Sequence, residues 1–231
     1  MSWFQPPRQP EPEVMDDACE VEAYASAAAQ AHLDAIDNTL VDQVLALGIQ
    51  PGIALDVGTG PGSIPLKLAR RRPDLHWVGI DKSQAMLGVA RRAAREQGLN
   101  NQVSFCLADA RRLCFPDAAF DLVLSNSLLH HLADPIAAFN EMARVTKLGG
   151  VVLIRDLRRP SRLAFKAHVA WHGRHYSGKM KELYDHSVRA AYTPAELQSL
   201  IEKSALASGR IFLHRRTHLG ACWKNVVHRS N

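Results

Sequence analysis

The strongest chemical signal in this chain is the run Ile53-Ala54-Leu55-Asp56-Val57-Gly58-Thr59-Gly60-Pro61-Gly62. A short apolar segment ends there in a turn with glycine at every second position. Glycine lacks a Cβ and accepts positive φ, so such a turn lets backbone approach a ligand closely. A second apolar run, Trp77-Val78-Gly79-Ile80-Asp81, ends in an acid placed to take the hydroxyls of a ribose. The two together describe a nucleoside site.

The spacing narrows the ligand. A dinucleotide fingerprint needs G-x-G-x-x-G, and here Ser63 stands where the third glycine belongs. No G-x-x-x-x-G-K-[ST] occurs, which excludes a P-loop. Asp56 puts a carboxylate just ahead of the turn, which repels a pyrophosphate and suits a cationic ligand. S-adenosyl-L-methionine (SAM) carries both a ribose and positive charge.

These residues must be positioned by strands and helices in alternation. Leu33, Ile36, Leu40, Val44 and Leu47 recur at helical spacing within 17–47, and Gly48 and Pro51-Gly52 end that helix. Strands are predicted at 53–57, 76–81, 103–108, 120–125 and 151–155. Helices between them run around 63–71 and 84–97, with Ser83 as N-cap of the second, and from Asp134-Pro135 to about Lys147. Thr193-Pro194-Ala195-Glu196 is a capping box that opens another helix. Strand-like runs at 210–214 and 222–228, with a turn near Leu219-Gly220, predict a terminal antiparallel hairpin. The fold class is therefore α/β: a doubly wound, mostly parallel, seven-stranded Rossmann-like sheet closed by that hairpin. Ligands of such sheets bind beyond the carboxyl ends of the strands. Gly58, Asp81, Asp109, Asn126 and Asp156 all fall at those ends. Residues 157–192 are rich in His and Tyr without a clean period and read as a lid. Pro-rich residues 1–16 read as a disordered tail, and 17–231 as one domain.

Composition bounds the rest. The chain has 231 residues, 47% hydrophobic and 22% charged, as in one ordinary globular domain. Its apolar runs are too short to span a bilayer, and its N-terminus lacks a signal-peptide pattern. Cys19, Cys106, Cys114 and Cys222 have no C-x-x-C spacing, so reduced thiols and a cytoplasmic setting are expected. A net charge of +5 is spread over pairs such as Arg91-Arg92, Arg111-Arg112 and Arg215-Arg216, read as solvated helix faces.

The motifs over 53–156 resemble those of the class I SAM-dependent methyltransferases, small-molecule type, including the quinone-biosynthesis C-methyltransferases. Leu55–Gly62 resembles that family's first motif, Gly79–Leu87 its ribose acid and adenine-facing segment, and Ala108-Asp109-Ala110 its third strand end. Phe120–Leu132 resembles its fourth strand, and Arg144–Gly150 the approach to its fifth, with Leu148 where relatives usually carry proline. The resemblance implies SAM as cofactor and S-adenosyl-L-homocysteine as product. It implies that Gly58, Thr59 and Gly60 face the methionine part, with Asp56 beneath and Asn126 beside them. Asp81 would hold the ribose, and Asp109 would accept from the adenine amino group, with Ala110 supplying backbone. Lys82 and Met86 would flank the adenine, and Tyr24 would lie over the methionine end. For Met86 and Tyr24, plain packing remains the other reading.

The chemistry then needs alignment, exclusion of water and, for a protonated acceptor, a base. His131 and Asp156 are the catalytic candidates, with His130 adjacent; the competing role is to pin the loop. His172, His175 and Tyr176 are the candidate substrate contacts. His168, His172 and His175 share a helical spacing, but no acid completes a ligand set, so no metal is expected. The expected partner is a small-molecule acceptor, without nucleic acid or a membrane span; the oligomeric state stays open. Two alternatives stand beside a small-molecule methyltransferase: an RNA or protein methyltransferase using the basic surface, and a SAM-binding protein without methyl transfer.

Overall fold

The computed structural model describes residues 6–11, 18–25 and 27–226. Two N-terminal helices, α1 (Ala18–Ala25) and α2 (Ala27–Ala46), precede the sheet. The first half then alternates as predicted: β1 (Gly52–Val57), α3 (Ser63–Arg71), β2 (Leu75–Asp81), α4 (Gln84–Glu96), β3 (Val103–Leu107), β4 (Phe120–Asn126), α5 (Ile136–Val145) and β5 (Thr146–Leu157). The second half holds α6 (Phe165–His172), α7 (Gly178–Ala190), α8 (Pro194–Glu202), β6 (Arg210–His214) and β7 (His218–Lys224).

The seven strands form one sheet in the order β3-β2-β1-β4-β5-β7-β6. The first five are parallel, and β7 inserts antiparallel between β5 and β6. The order reverses between β1 and β4, and this switch point opens the crevice in which open α/β sheets bind ligands. Strand pleating sends successive side chains to opposite faces. Leu122 and Leu124 of β4 join one core with Leu40, Val44, Leu68 and Trp77, while Val123 joins the other with Phe139, Met142 and Ile201. Both faces are therefore apolar and helix-covered, as a parallel sheet requires.

The local signals act as read. Ser83 caps α4 by accepting the Met86 N–H at 3.2 Å. Thr193 and Glu196 exchange both bonds of the capping box, with Pro194 at the first helical position. Other boundaries move. The helix expected to reach Lys147 stops at Val145, because Thr146 already pairs with Phe120 of β4. The α5 cap is Pro135, while Asp134 accepts the Ile136 N–H at 3.0 Å.

Three expectations need correction. The hairpin turn lies at 215–217, and Leu219-Gly220 sits inside β7. Gly220 is required there by contact: a Cβ would stand 2.2 Å from the Ile154 carbonyl oxygen and 2.5 Å from the Phe212 ring. The end of the predicted run, 227–228, lies outside the described residues. The segment 157–192 is not irregular; α6 and α7 account for most of it, and Met180, Leu183 and Tyr184 of α7 pack with Tyr176, with Tyr24 of α1 and with Leu33 of α2. Finally, Pro6–Glu11 lies against the body of the domain, where a disordered tail was expected: Arg8 donates to the carbonyls of Ala190, His130 and Leu132 at 2.6–2.9 Å. The rest of that predicted tail lies outside the described residues.

Candidate active site

A cavity of about 460 Å³ lies at the switch point, beyond the carboxyl ends of β1, β2 and β4. Its floor is the glycine turn. Gly60 has a φ of +54°, and a Cβ there would meet nothing within 4 Å, so the turn presents open space to the cavity. Gly62 has a φ of +78°, and a Cβ there would stand 2.8 Å from Phe105, so this glycine serves helix–strand packing. Asp81 ties the turn to β2: it accepts the Gly60 N–H and the Ser83 N–H, each at 2.8 Å. Asp81 also borders the cavity, where its carboxylate faces any ligand seated on the turn.

Asp56 lies under the turn, 2% exposed, with Thr59 Oγ1 donating to it at 2.7 Å. Burial pushes its carboxyl up to about 7; the Thr59 bond opposes this and the charge of Asp81 adds to it. Asp37, on the apolar face of α2, also borders the cavity, and burial raises it as well. Lys67 Nζ, 3.7 Å from Asp37, meets part of that charge, which leaves Asp56 as the acid that favours a cation over the turn.

Asn126 borders the cavity, and its Oδ1 accepts from Arg155 Nε at 2.8 Å. Arg155 is fully buried in β5 and also reaches Thr39 Oγ1 at 2.9 Å. It fixes which way the Asn126 amide points, a role the sequence reading missed. The signal was available: a lone basic residue inside Val151-Val152-Leu153-Ile154-Arg155.

Past Asn126, Leu129–His131 form a 3₁₀ turn. Asp156 closes it from behind, accepting the N–H of Leu129 at 2.5 Å and His130 Nδ1 at 2.6 Å. The His130 and Asp156 side chains are 3% and 1% exposed. Burial opposes charge on both, yet each partner holds the other ionised: His130 is raised and Asp156 lowered from their ordinary values. His130 and His131 border the cavity, whereas Asp156 is behind them, so its place is that of a positioning group. Tyr24, Tyr176, Met180 and Tyr184 form the wall opposite. Burial pushes the Tyr176 phenol up to about 12 and those of Tyr24 and Tyr184 higher still.

The family comparison follows this geometry. Residues 52–205 match the family described as a methyltransferase domain. The chain belongs to this methyltransferase family. Among its relatives, a demethylmenaquinone methyltransferase of Thermus thermophilus is 40% identical over 121 residues, 52% of this chain and 54% of that protein. A ubiquinone biosynthesis O-methyltransferase of Aeromonas salmonicida is 32% identical over 152 residues, 66% of this chain and 61% of that one. The chain spans about half the length of the curated relatives it matches. The crystal structure of the plantazolicin methyltransferase BpumL, in complex with a triazolic desmethylPZN analog and SAH, superposes with a TM-score of 0.66. It covers 91% of this chain and 92% of its own at 16% identity, a likeness of fold.

In this chain the residues present fit SAM, the family's cofactor: an open glycine cradle, an acid at the β2 tip and a buried acid beneath the turn. Met86, 5% exposed, borders the cavity, as does Thr59. Gly58, Lys82, Asp109 and Ala110 border a small cleft on the far side of Asp81. Asp109 departs from expectation. Arg111, read from sequence as a solvated helix-face residue, folds back on it, donating through Nε, Nη2 and its backbone N–H at 2.8–3.0 Å. An adenine amino group would have to share that carboxylate with a guanidinium two residues away. The histidine series is also broken. His172 ends α6 and borders the cavity, while His175 is exposed and stacks on His32 at a ring distance of 4.3 Å. Among the paired basic residues, Arg71 pairs with Asp42, Arg72 with Asp74, Arg111 with Asp109 and Arg159 with Glu196. Among the described residues no helix is long and apolar enough to cross a membrane.

Proposed function

We propose that this chain transfers a methyl group from SAM to a small organic acceptor. The observation that carries this is the single cavity with two unlike ends. One end holds the glycine turn, Asp56 and Asp81; the other is walled by Tyr24, Tyr176, Met180 and Tyr184 and backed by His130 and His131. An enclosure of about 460 Å³ suits a cofactor beside a small acceptor rather than a polymer. The relatives named for demethylmenaquinone and ubiquinone-biosynthesis methylation agree with an organic, non-polymeric acceptor.

When bound, SAM supplies a methyl activated on a sulfonium. The chain's own groups do the rest. Asp81 takes the ribose hydroxyls while holding Gly60 in place. Asp56 favours positive charge over the turn. Asn126, oriented by Arg155, offers its amide beside the cavity. The tyrosine wall excludes water, and His131 is placed to accept an acceptor proton where one must leave. Asp109, Ala110 and Lys82 border the adenine side, and His172 and Tyr176 the acceptor side.

The test is incubation of the purified chain with methyl-labelled SAM and fractionated cell extract. Label in a low-molecular-weight organic product supports the proposal. Label confined to RNA or protein, or SAM binding without turnover on any fraction, rejects it.

A further inference from the structure

The segment Pro6–Glu11 does more than pack. It brings Glu11 to the two histidines that follow β4. Glu11 Oε1 lies 3.2 Å from His131 Nδ1 and 3.4 Å from His130 Nε2. One donor atom from each of the three residues lies within 4.8 Å of the others. Four-coordinate zinc, at about 2.0–2.2 Å from N and O ligands, sets neighbouring donors about 3.3–3.6 Å apart. The two Glu–His distances already fall at or near that range.

A second observation concerns the other nitrogen of His130. Histidines that bind metals donate the remaining ring N–H to a carboxylate, which fixes the tautomer and aims the free lone pair. His130 Nδ1 is 2.6 Å from Asp156 Oδ1, leaving Nε2 directed at Glu11. The charge balance points the same way. The Glu11 and Asp156 side chains are 8% and 1% exposed and face each other across His130. The nearby Arg8 guanidinium donates to three backbone carbonyls, and Ser187 donates to Glu11 at 3.2 Å. Zinc would take the place of the His130 Nε2 proton, so the two buried carboxylates would keep a compensating positive charge.

We propose that Glu11, His130 and His131 bind a divalent metal ion of the zinc class on the acceptor side of the cavity. Two imidazoles and a carboxylate are a donor set that zinc takes in open, reactive sites, leaving one position for a further ligand. Both histidines border the cavity, so that position is available to an acceptor with a hydroxyl or thiol, whose proton the metal would release to solvent. This last role rests on the methyl-transfer reading and would replace proton uptake by His131, whose Nδ1 the metal occupies; the metal site itself does not depend on that reading.

The experiment uses the full chain, stripped with a chelator and titrated with zinc chloride alone, without SAM or acceptor. One zinc per chain is expected to survive gel filtration, and cobalt substitution to give the visible absorption of a four-coordinate ion. Glu11→Gln and His131→Ala should each weaken zinc binding at least tenfold, with an unchanged circular dichroism spectrum and SAM affinity within threefold of the parent. His168→Ala/His172→Ala, which removes the neighbouring ring pair on α6, should leave zinc binding intact. Failure of the parent chain to retain zinc at micromolar free metal overturns the site. So does equal binding by Glu11→Gln and His131→Ala, or loss only in the α6 variant. Absence of SAM binding in the parent would strike at the methyl-transfer reading and leave the metal result standing.

Discussion

Asp81 accepts the backbone N–H of Gly60 at 2.8 Å across 21 residues of chain, so the tip of β2 holds the glycine turn that follows β1. Its other oxygen accepts the Ser83 N–H at 2.8 Å and so anchors the start of α4. One side chain thus shapes the cradle and also faces the cavity. Asp81→Ala removes charge-assisted bonds of roughly 1.5–3 kcal/mol each. SAM affinity should fall at least tenfold, or about 1.4 kcal/mol, by calorimetric titration. An unchanged affinity in a folded variant would reject the ribose assignment.

The glycines of the turn separate binding from packing. A Cβ on Gly60 projects into open cavity, while one on Gly62 collides with Phe105. Both sit at positive φ, so both substitutions carry backbone strain of order 1 kcal/mol or more. Gly60→Ala should lose most SAM affinity for a small change in thermal midpoint. Gly62→Ala should lower the midpoint clearly more. The reverse ranking would mean that the turn does not face the cofactor.

Asp56 makes a pH prediction. Its carboxyl is held up to about 7 by burial, against an ordinary value of 3.8. Between those values the folded chain keeps a proton that the unfolded chain has lost, so this group's contribution to stability falls as pH rises from about 4 to 7. Asp56→Asn should remove that slope from the difference between variant and parent in denaturant melts. Cofactor cations favour the ionised form, so parent SAM affinity should rise from pH 6 to 8 and the variant's should not. Parallel pH profiles for the two proteins would refute the coupling.

Asp156 is buried and serves three backbone N–H groups and one imidazole. Asp156→Ala strands His130 and the 3₁₀ turn, a loss of roughly 3–5 kcal/mol for a broken buried pair. Urea unfolding should show a large drop in midpoint even where SAM restores the fold. A variant as stable as the parent would remove the positioning role.

The acceptor wall divides in the same way. His172 borders the cavity at the end of α6 without being buried in a core. Tyr176 is 8% exposed and packs with Met180. His172→Ala should lower turnover, once an acceptor is known, with SAM affinity within threefold. Tyr176→Ala should cost about 3 kcal/mol of stability, the usual loss for truncating a buried aromatic. Intact turnover in His172→Ala would place the acceptor elsewhere.

The cofactor half of this protein was legible in its sequence because it is local. A glycine turn needs positive φ at fixed offsets, strand tips are set by apolar runs, and caps are written in neighbouring residues. Gly58, Gly60, Asp81 and Asn126 therefore stand where spacing alone put them. The opposite wall of the cavity was decided by tertiary structure, because its contacts join residues far apart in the chain. Nothing within Pro6–Glu11 says that Glu11 will reach His131, 120 residues on, at 3.2 Å. Nor does spacing show that Arg155 of β5 reaches back 29 residues to orient Asn126 at the end of β4. Charged side chains choose partners by three-dimensional distance and burial, where low dielectric magnifies each pairing. Apolar periodicity, which sequence records well, carries no information about those choices.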